Sequence, residues 1–240
     1  MQLKSHDIVP VSNATSWTEY YRSLTDAYLF PNEFVVRIFL ASYPNLKMER
    51  HYKGANIGDL SCADGRNMVL LNKLGGKLYG VEISEEICAI TRKKLLAHSD
   101  HITADIRTGT NDHLPFDDSF FDYLLSWNAC YYMRDENADF ATHVAEFARV
   151  MKPGAYFVAC VPAPTCFSLQ NAEKIEHNLI RIHVSSKWSM LTGSIYRAFN
   201  SPADIESAFG THFENFSHAS LTDNCFGLAL DYFIFVCQKR

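Results

Sequence analysis

Residues Ile57 to Asn67 read I-G-D-L-S-C-A-D-G-R-N. A short apolar run closes on an acid and passes directly into a turn of small residues. The next stretch, Met68 to Leu74, reads as a helix. Strand, close turn and helix are the parts of a nucleotide-binding βαβ unit. Small residues let the backbone approach a ligand, and a helix start offers unpaired N–H groups to an anion. The acid narrows the choice. A dinucleotide fingerprint ends its strand on glycine, whereas Asp59 stands at this strand end, where it would repel a pyrophosphate and suit a ligand that presents an ammonium group.

Working outward, Gly76 to Ile83 reads as a second short strand ending in Glu82. That acid lies roughly 20 residues beyond the turn, where a βαβ unit places the carboxylate that binds a ribose. Ser84 to Ala97 follows as a helix, His101 to Arg107 as a weaker third strand, and Phe121 to Asn128 as a buried fourth. The fourth strand ends in Ser126, Trp127 and Asn128, followed by Tyr131 and Tyr132. This is the richest polar–aromatic cluster in the chain, and the C-terminal ends of parallel strands are where open α/β sheets bind ligands.

Upstream, Ser16 is placed to cap a helix from Trp17 to Tyr28, and Pro31 suits the first turn of a second, Asn32 to Ser42. Tyr20 and Tyr21 read as half-buried packing residues. Downstream, Ala138 to Met151 is an amphipathic helix leading into a fifth strand through K-P-G. Leu169 to Ile182 reads as helical, and Pro202 to Phe209 as another helix. Phe213 to Leu221 and Leu228 to Cys237 read as a hairpin-like antiparallel edge, with Asp231 and Tyr232 marking partial exposure.

Composition bounds the function. The 240 residues carry a net charge of −5, and no Lys/Arg block exceeds Arg92-Lys93-Lys94, so a nucleic-acid footprint is not expected. No apolar run approaches the roughly 18 residues of a membrane span. Seven scattered cysteines form no C-x-x-C, and the first ten residues lack a signal-peptide core, which predicts a reducing, cytoplasmic setting. The ten histidines form no ligand cluster, and no metal site is expected.

Four stretches, in order, resemble the class I S-adenosylmethionine-dependent methyltransferases, of the small-molecule type. Ile57–Gly65 resembles motif I, usually D-x-G-x-G-x-G: Asp59 and Gly65 match, while Ser61 and Ala63 replace the first two glycines. If those positions need left-handed backbone, each Cβ costs about 1–2 kcal/mol. Glu82 matches the ribose acid. Gly109 to Asp122 resembles G-D-A-x-x-L-P-F-x-D-x-S-F-D, which puts Thr110 and Asn111 against the adenine. Glu146, Arg149, Val150, Lys152, Pro153 and Gly154 match the turn into the fifth strand.

The resemblance implies a Rossmann-like, doubly wound seven-stranded α/β sheet, mostly parallel with an antiparallel C-terminal strand and an N-terminal helical cap. It implies one domain over 1–240: a cap at 1–45, a cofactor core at 55–161, a substrate-lid insertion at 162–200, and a helix and strand pair at 201–240. The implied cofactor is S-adenosyl-L-methionine, held by Asp59, Ser61, Cys62, Ala63, Gly65, Asn67, Glu82, Ile83, Thr110, Asn111, Ser126, Trp127 and Asn128. The implied reaction is methyl transfer to a small molecule or saccharide hydroxyl. No residue declares itself the base; Asn128, Tyr131, His183 and His218 are the candidates. A non-catalytic cofactor-binding module and an NAD-type oxidoreductase are the alternatives.

Overall fold

The computed structural model of the chain describes residues 13–23, 29–99, 101–185 and 188–240. Two short helices come first, α1 (Asn13–Ser23) and α2 (Glu33–Leu40). Asn32 caps α2, its side-chain oxygen accepting the Phe34 N–H at 2.9 Å. The expected first helix extended to Tyr28, and residues 24–28 lie outside the described residues.

The core then alternates: β1 (Asn56–Leu60), α3 (Arg66–Lys73), β2 (Lys77–Glu82), α4 (Glu85–His98), β3 (Ala104–Thr108), β4 (Phe121–Trp127), β5 (Tyr132–Met133), α5 (Phe140–Val150) and β6 (Met151–Pro162). The remainder is β7 (Glu173–Lys174), β8 (Leu179–Arg181), β9 (Ile195–Arg197), α6 (Pro202–Phe209), β10 (Phe213–Leu221), β11 (Asn224–Cys225), β12 (Leu228–Ala229) and β13 (Tyr232–Lys239).

Seven strands form one sheet in the order β10-β13-β6-β4-β1-β2-β3. β1, β2, β3, β4 and β6 are parallel neighbours, and β13 runs antiparallel to both β6 and β10. Burial alternates along the strands as the pleat requires. Phe157, Ala159 and Val161 pack with α5 and α6 on one face, while Tyr156, Val158 and Cys160 share the other with α2, α3 and α4. Both faces are covered, which makes the sheet doubly wound. The chain order reverses at β1, between β2 and β4, so the crevice opens above those strand ends.

The matched turn at β6 is explained by its bonds. Arg149 donates to Glu146, Asp118 and the carbonyls of Leu114 and Phe116, while Glu146 accepts the Leu114 N–H. Lys152 reaches Asp122 at 2.7 Å, and Asp122 also accepts the Asn56 N–H, tying the starts of β6, β4 and β1 together.

Two expectations are corrected. Leu169 to Ile182 is not a helix. His177 and Asn178 have φ of 57° and 62°, the paired left-handed residues of a tight hairpin turn, and this turn joins β7 to β8. β7, β8 and β9 join β5 in a four-stranded antiparallel sheet. Nor is the C-terminal strand at the edge. β13 is interior and β10 is the edge, while Leu228–Ala229 pairs with Asn224–Cys225 in a separate short hairpin. Asp231 instead marks the start of β13, where its carbonyl accepts the Ala163 N–H at 2.9 Å.

Candidate functional site

Between the ends of β1, β2 and β4, the small sheet and α1 lies a cavity of ≈ 840 Å³. Its floor is the turn after β1. Ser61, Ala63 and Gly65 have φ of 53°, 56° and 81°, so the two residues that stand where the motif has glycine do adopt left-handed backbone. Two non-glycine residues held there cost of order 1–3 kcal/mol each, and such strain persists only where neighbours over-determine it. Here they do. The Ala63 N–H donates to Glu82 Oε1 at 2.7 Å, and its carbonyl accepts from the buried Thr91 hydroxyl. A Cβ at Gly80 would sit 2.7 Å from Met68 Cε and 2.8 Å from Cys62 Sγ, so only glycine lets β2 approach the turn.

Glu82 lines the cavity from the end of β2 and is buried. Its second oxygen accepts the Ile83 N–H at 3.1 Å. Burial raises its pKa to about 7, against the opposing pull of these two N–H groups. A carboxylate has about four acceptor positions, so positions remain for a ligand's hydroxyls.

Asp59 is placed differently from expectation. It is 2% exposed and lies beneath the turn rather than in the cavity wall. Its Oδ2 has no hydrogen-bond partner, and burial, then Glu82 and Asp64, hold its pKa well above the usual carboxylate range. Side chains alternate along a strand, and the wall begins only at the next residue, Leu60. Asp64, also buried, takes a bidentate Arg66 at 3.0 and 2.7 Å. Of the three acids at this end, Asp59 is shifted toward its neutral form and Asp64 is paired with Arg66, so negative charge at the floor comes from Glu82 when ionised.

Cys62, Asn67 and Ile83 all line the cavity. The Cys62 thiol is buried and raised well above its ordinary pKa by burial, then by Glu82 and Asp59, and is therefore inert. The side-chain oxygen of Asn67 accepts the Asn32 N–H at 3.0 Å, anchoring α2 to the turn. Thr110 and Asn111 form the next wall. The Thr110 hydroxyl donates to Asp112 at 2.6 Å, leaving its oxygen as an acceptor, and the Asn111 amide donates to the carbonyls of Ala129 and Tyr132. Leu114 and Phe116 are core residues.

After β4, Trp127 and Asn128 face the cavity, and Asn128 has φ 61° and accepts from the Cys160 thiol at 3.3 Å. Ser126 does not reach it: the residue is fully buried beside Cys130, on the opposite side of the strand from its neighbours. Of the candidate bases, Asn128 and Tyr131 line the cavity. His183 is exposed, 3.7 Å from Glu173, and His218 pairs with Glu206 at 2.8 Å on the edge strand β10, so both lie outside it. Burial raises Tyr131 well above the ordinary tyrosine pKa, which leaves it a donor and not a base at neutral pH.

Sequence reading missed several wall residues. Tyr20 and Tyr21 line the cavity instead of merely packing, and the Tyr21 pKa is raised by burial and then by Glu82 and Asp64. Tyr196 and Tyr232 arrive from β9 and β13. His143 comes from α5, nearly sealed, its pKa lowered by burial. Tyr196 and Tyr232 lie in segments with no family pattern to assign them a direction. The arginines at the wall are each paired: Arg66 with Asp64, Arg134 with Asp112 and Asp135, Arg181 with Glu136 and Glu173.

Among the described residues no group of three His, Cys, Asp or Glu side chains is placed to hold a metal, and no helix is long and apolar enough to cross a membrane.

Comparison with known proteins agrees with this geometry. Residues 58–159 match the family model described as a methyltransferase domain. A demethylmenaquinone methyltransferase of Symbiobacterium thermophilum is 33% identical over 128 residues, which is 50% of this chain and 47% of that protein. The chain thus spans about half the length of this curated relative. A crystal structure from Pyrococcus horikoshii OT3 superposes with a TM-score of 0.61 at 21% identity, covering 92% of this chain and 99% of that one. A protein described as a SAM-dependent methyltransferase, from Methanosarcina mazei, superposes at 0.60 with 18% identity, covering 83% and 99%. At these identities the superpositions establish the fold.

Proposed function

We propose, from the match of residues 58–159 to a methyltransferase-domain family model, that the chain is an S-adenosylmethionine-dependent methyltransferase acting on a small molecule. The observation that carries this is the pinned turn. Ser61 and Ala63 are left-handed at the point where the sheet order reverses, under a cavity of ≈ 840 Å³, and Glu82 and Thr91 hold the Ala63 peptide groups.

The residues fit the cofactor. Glu82, at the cavity end of β2, gives the floor a negative field when ionised. That field favours an ammonium or sulfonium and opposes a pyrophosphate. Glu82 would take the ribose hydroxyls on its remaining acceptor positions. Thr110 and Asn111 would meet the adenine, and the turn backbone with Asn67 the amino-acid end. When bound, S-adenosylmethionine supplies a methyl group on a sulfonium, already activated for displacement.

The chain's own contribution is alignment and exclusion of water. The small sheet carrying β9 and the helix α1 wall the cavity opposite the turn, and we assign them the role of a substrate lid. Trp17 packs edge-on to Tyr132 at 6.3 Å, bringing the two walls together. Aromatic faces beside a sulfonium stabilise it by about 0.5–2 kcal/mol; Trp127 and Tyr131, which line the cavity, would take this role. The acceptor is taken to be an oxygen nucleophile. Seven unpaired cysteines suit a reducing, cytoplasmic compartment.

Calorimetric titration with S-adenosylmethionine and S-adenosylhomocysteine tests the reading. One saturable site, weakened at least tenfold in Glu82→Ala, is expected. No saturation by either ligand would overturn it. Binding without release of labelled methyl to any small-molecule extract would reduce the chain to a cofactor-binding module.

A further inference from the structure

Four tyrosines from three separate segments meet on the cavity wall opposite the turn. Tyr131 and Tyr132 follow β4, Tyr196 lies on β9, and Tyr232 begins β13. Tyr131 stacks on Tyr132 with ring centroids 5.1 Å apart and planes at 26°. Tyr196 stands edge-on to both, at 4.8 Å and 4.4 Å. The Tyr196 hydroxyl donates to the Tyr132 hydroxyl at 2.7 Å. A phenol has one proton to give, and among the described residues the Tyr132 proton has no acceptor. The Tyr132 ring lines the cavity.

We propose that Tyr132, oriented by Tyr196, donates a hydrogen bond to the oxygen of a neutral, planar hydroxylated ring, so that the substrate class is phenolic. This inference rests on the methyltransferase reading and names the acceptor for it. Three observations choose the class. The donor is a phenol and not a cation, and each wall arginine is held by a carboxylate. Glu82 at the floor, when ionised, adds to the same bias against an anionic substrate. The stacked pair Tyr131 and Tyr132, with Trp17 beside them and Trp188 and Phe167 on the wall, offers flat apolar faces to a planar ring.

The geometry also gives the two tyrosines different roles. Tyr132 touches the substrate; Tyr196 is a positioning residue that acts through it. Burial keeps both protonated at neutral pH. A proton donated into Tyr132 strengthens the bond Tyr132 makes in turn.

Calorimetry of the full chain, saturated with S-adenosylhomocysteine, tests this with 2-naphthol, 2-naphthoate and methyl β-glucoside as probes. The naphthol is expected to bind at one site, at least tenfold tighter than either competitor. Tyr132→Phe should weaken naphthol binding about five- to tenfold, the effect of losing one hydrogen bond, with S-adenosylhomocysteine affinity unchanged. Tyr196→Phe should weaken it less, and the double variant no more than Tyr132→Phe alone, because one tyrosine acts through the other.

Tighter binding of the glucoside or the naphthoate overturns the substrate class, and this wild-type comparison stands whether or not the variants fold. Unchanged naphthol affinity in Tyr132→Phe overturns the donor, and additive losses overturn the relay. Absence of S-adenosylhomocysteine binding to the wild type is a separate result. It refutes the cofactor reading, while the naphthol titration is still read without cofactor.

Discussion

Glu82 makes cofactor affinity depend on pH in a way that can be calculated from its burial. Its carboxyl is raised to about 7, with burial the largest cause, and the proposed ribose contacts need the ionised form as acceptor. The apparent dissociation constant then scales as the inverse of the ionised fraction. For a pKa near 7, affinity for S-adenosylhomocysteine should be about elevenfold below its plateau at pH 6, about twofold below at pH 7, and near the plateau at pH 8.

The sign for stability is opposite. The folded pKa lies above the ordinary 4.5, so the folded chain without cofactor holds a proton that the unfolded chain releases. This contribution is fully present below pH 4.5 and is lost as pH rises to about 7. Its upper limit is about 3 kcal/mol, from some 2.5 pH units at 1.36 kcal/mol each. Calorimetry at pH 6, 7 and 8 at constant ionic strength, beside thermal melts with and without ligand, reads both effects. Glu82→Gln should lower affinity and flatten its pH profile. An affinity equal at pH 6 and 8 in the wild type, or the same slope in Glu82→Gln, would refute the reasoning.

Three further outcomes are expected. Ala63→Gly should relieve about 1–2 kcal/mol of left-handed strain and add about 0.5–1 kcal/mol of chain entropy cost, a net gain of up to about 1.5 kcal/mol in urea denaturation; a loss would show that the Ala63 methyl group packs favourably. Gly80→Ala should destabilise by about 1–3 kcal/mol, because its Cβ would meet Met68 and Cys62, and it should weaken S-adenosylhomocysteine binding through the displaced turn. Arg149→Met should cost about 2–3 kcal/mol by chemical denaturation, since it strips the donors from two carbonyls and leaves Glu146 without its cation.

The core was readable where local chemistry and global packing demand the same residue. Glu82 and the Glu146–Arg149 pair sit where a buried carboxylate or a tight turn leaves few alternatives. Ser61 and Ala63 were read as departures, and both adopt the glycine-like conformation, Ala63 because Glu82 and Thr91 anchor its N–H and carbonyl. The wall opposite the turn was not readable. Leu169–Ile182 carries helix formers, and a hairpin turn at His177-Asn178 overrides them. Asp59 was assigned to the cavity from its place in the motif, yet the pleat turns it beneath the floor. Tyr196 and Tyr232 meet Tyr132 only through pairing across long stretches of chain, which leaves no periodic trace.

The interior position of β13 sets an order of assembly. β10 is synthesised before the strand that separates it from β6, so during translation it has no neighbour in the sheet and β6 presents a bare, apolar margin. Such margins recruit other chains, and pairings between distant segments form slowly. The nascent protein therefore has a window in which most of the ligand-binding half has emerged while the sheet is still unsealed. Because Tyr232 opens β13, the same late event that seals the sheet also completes the aromatic wall.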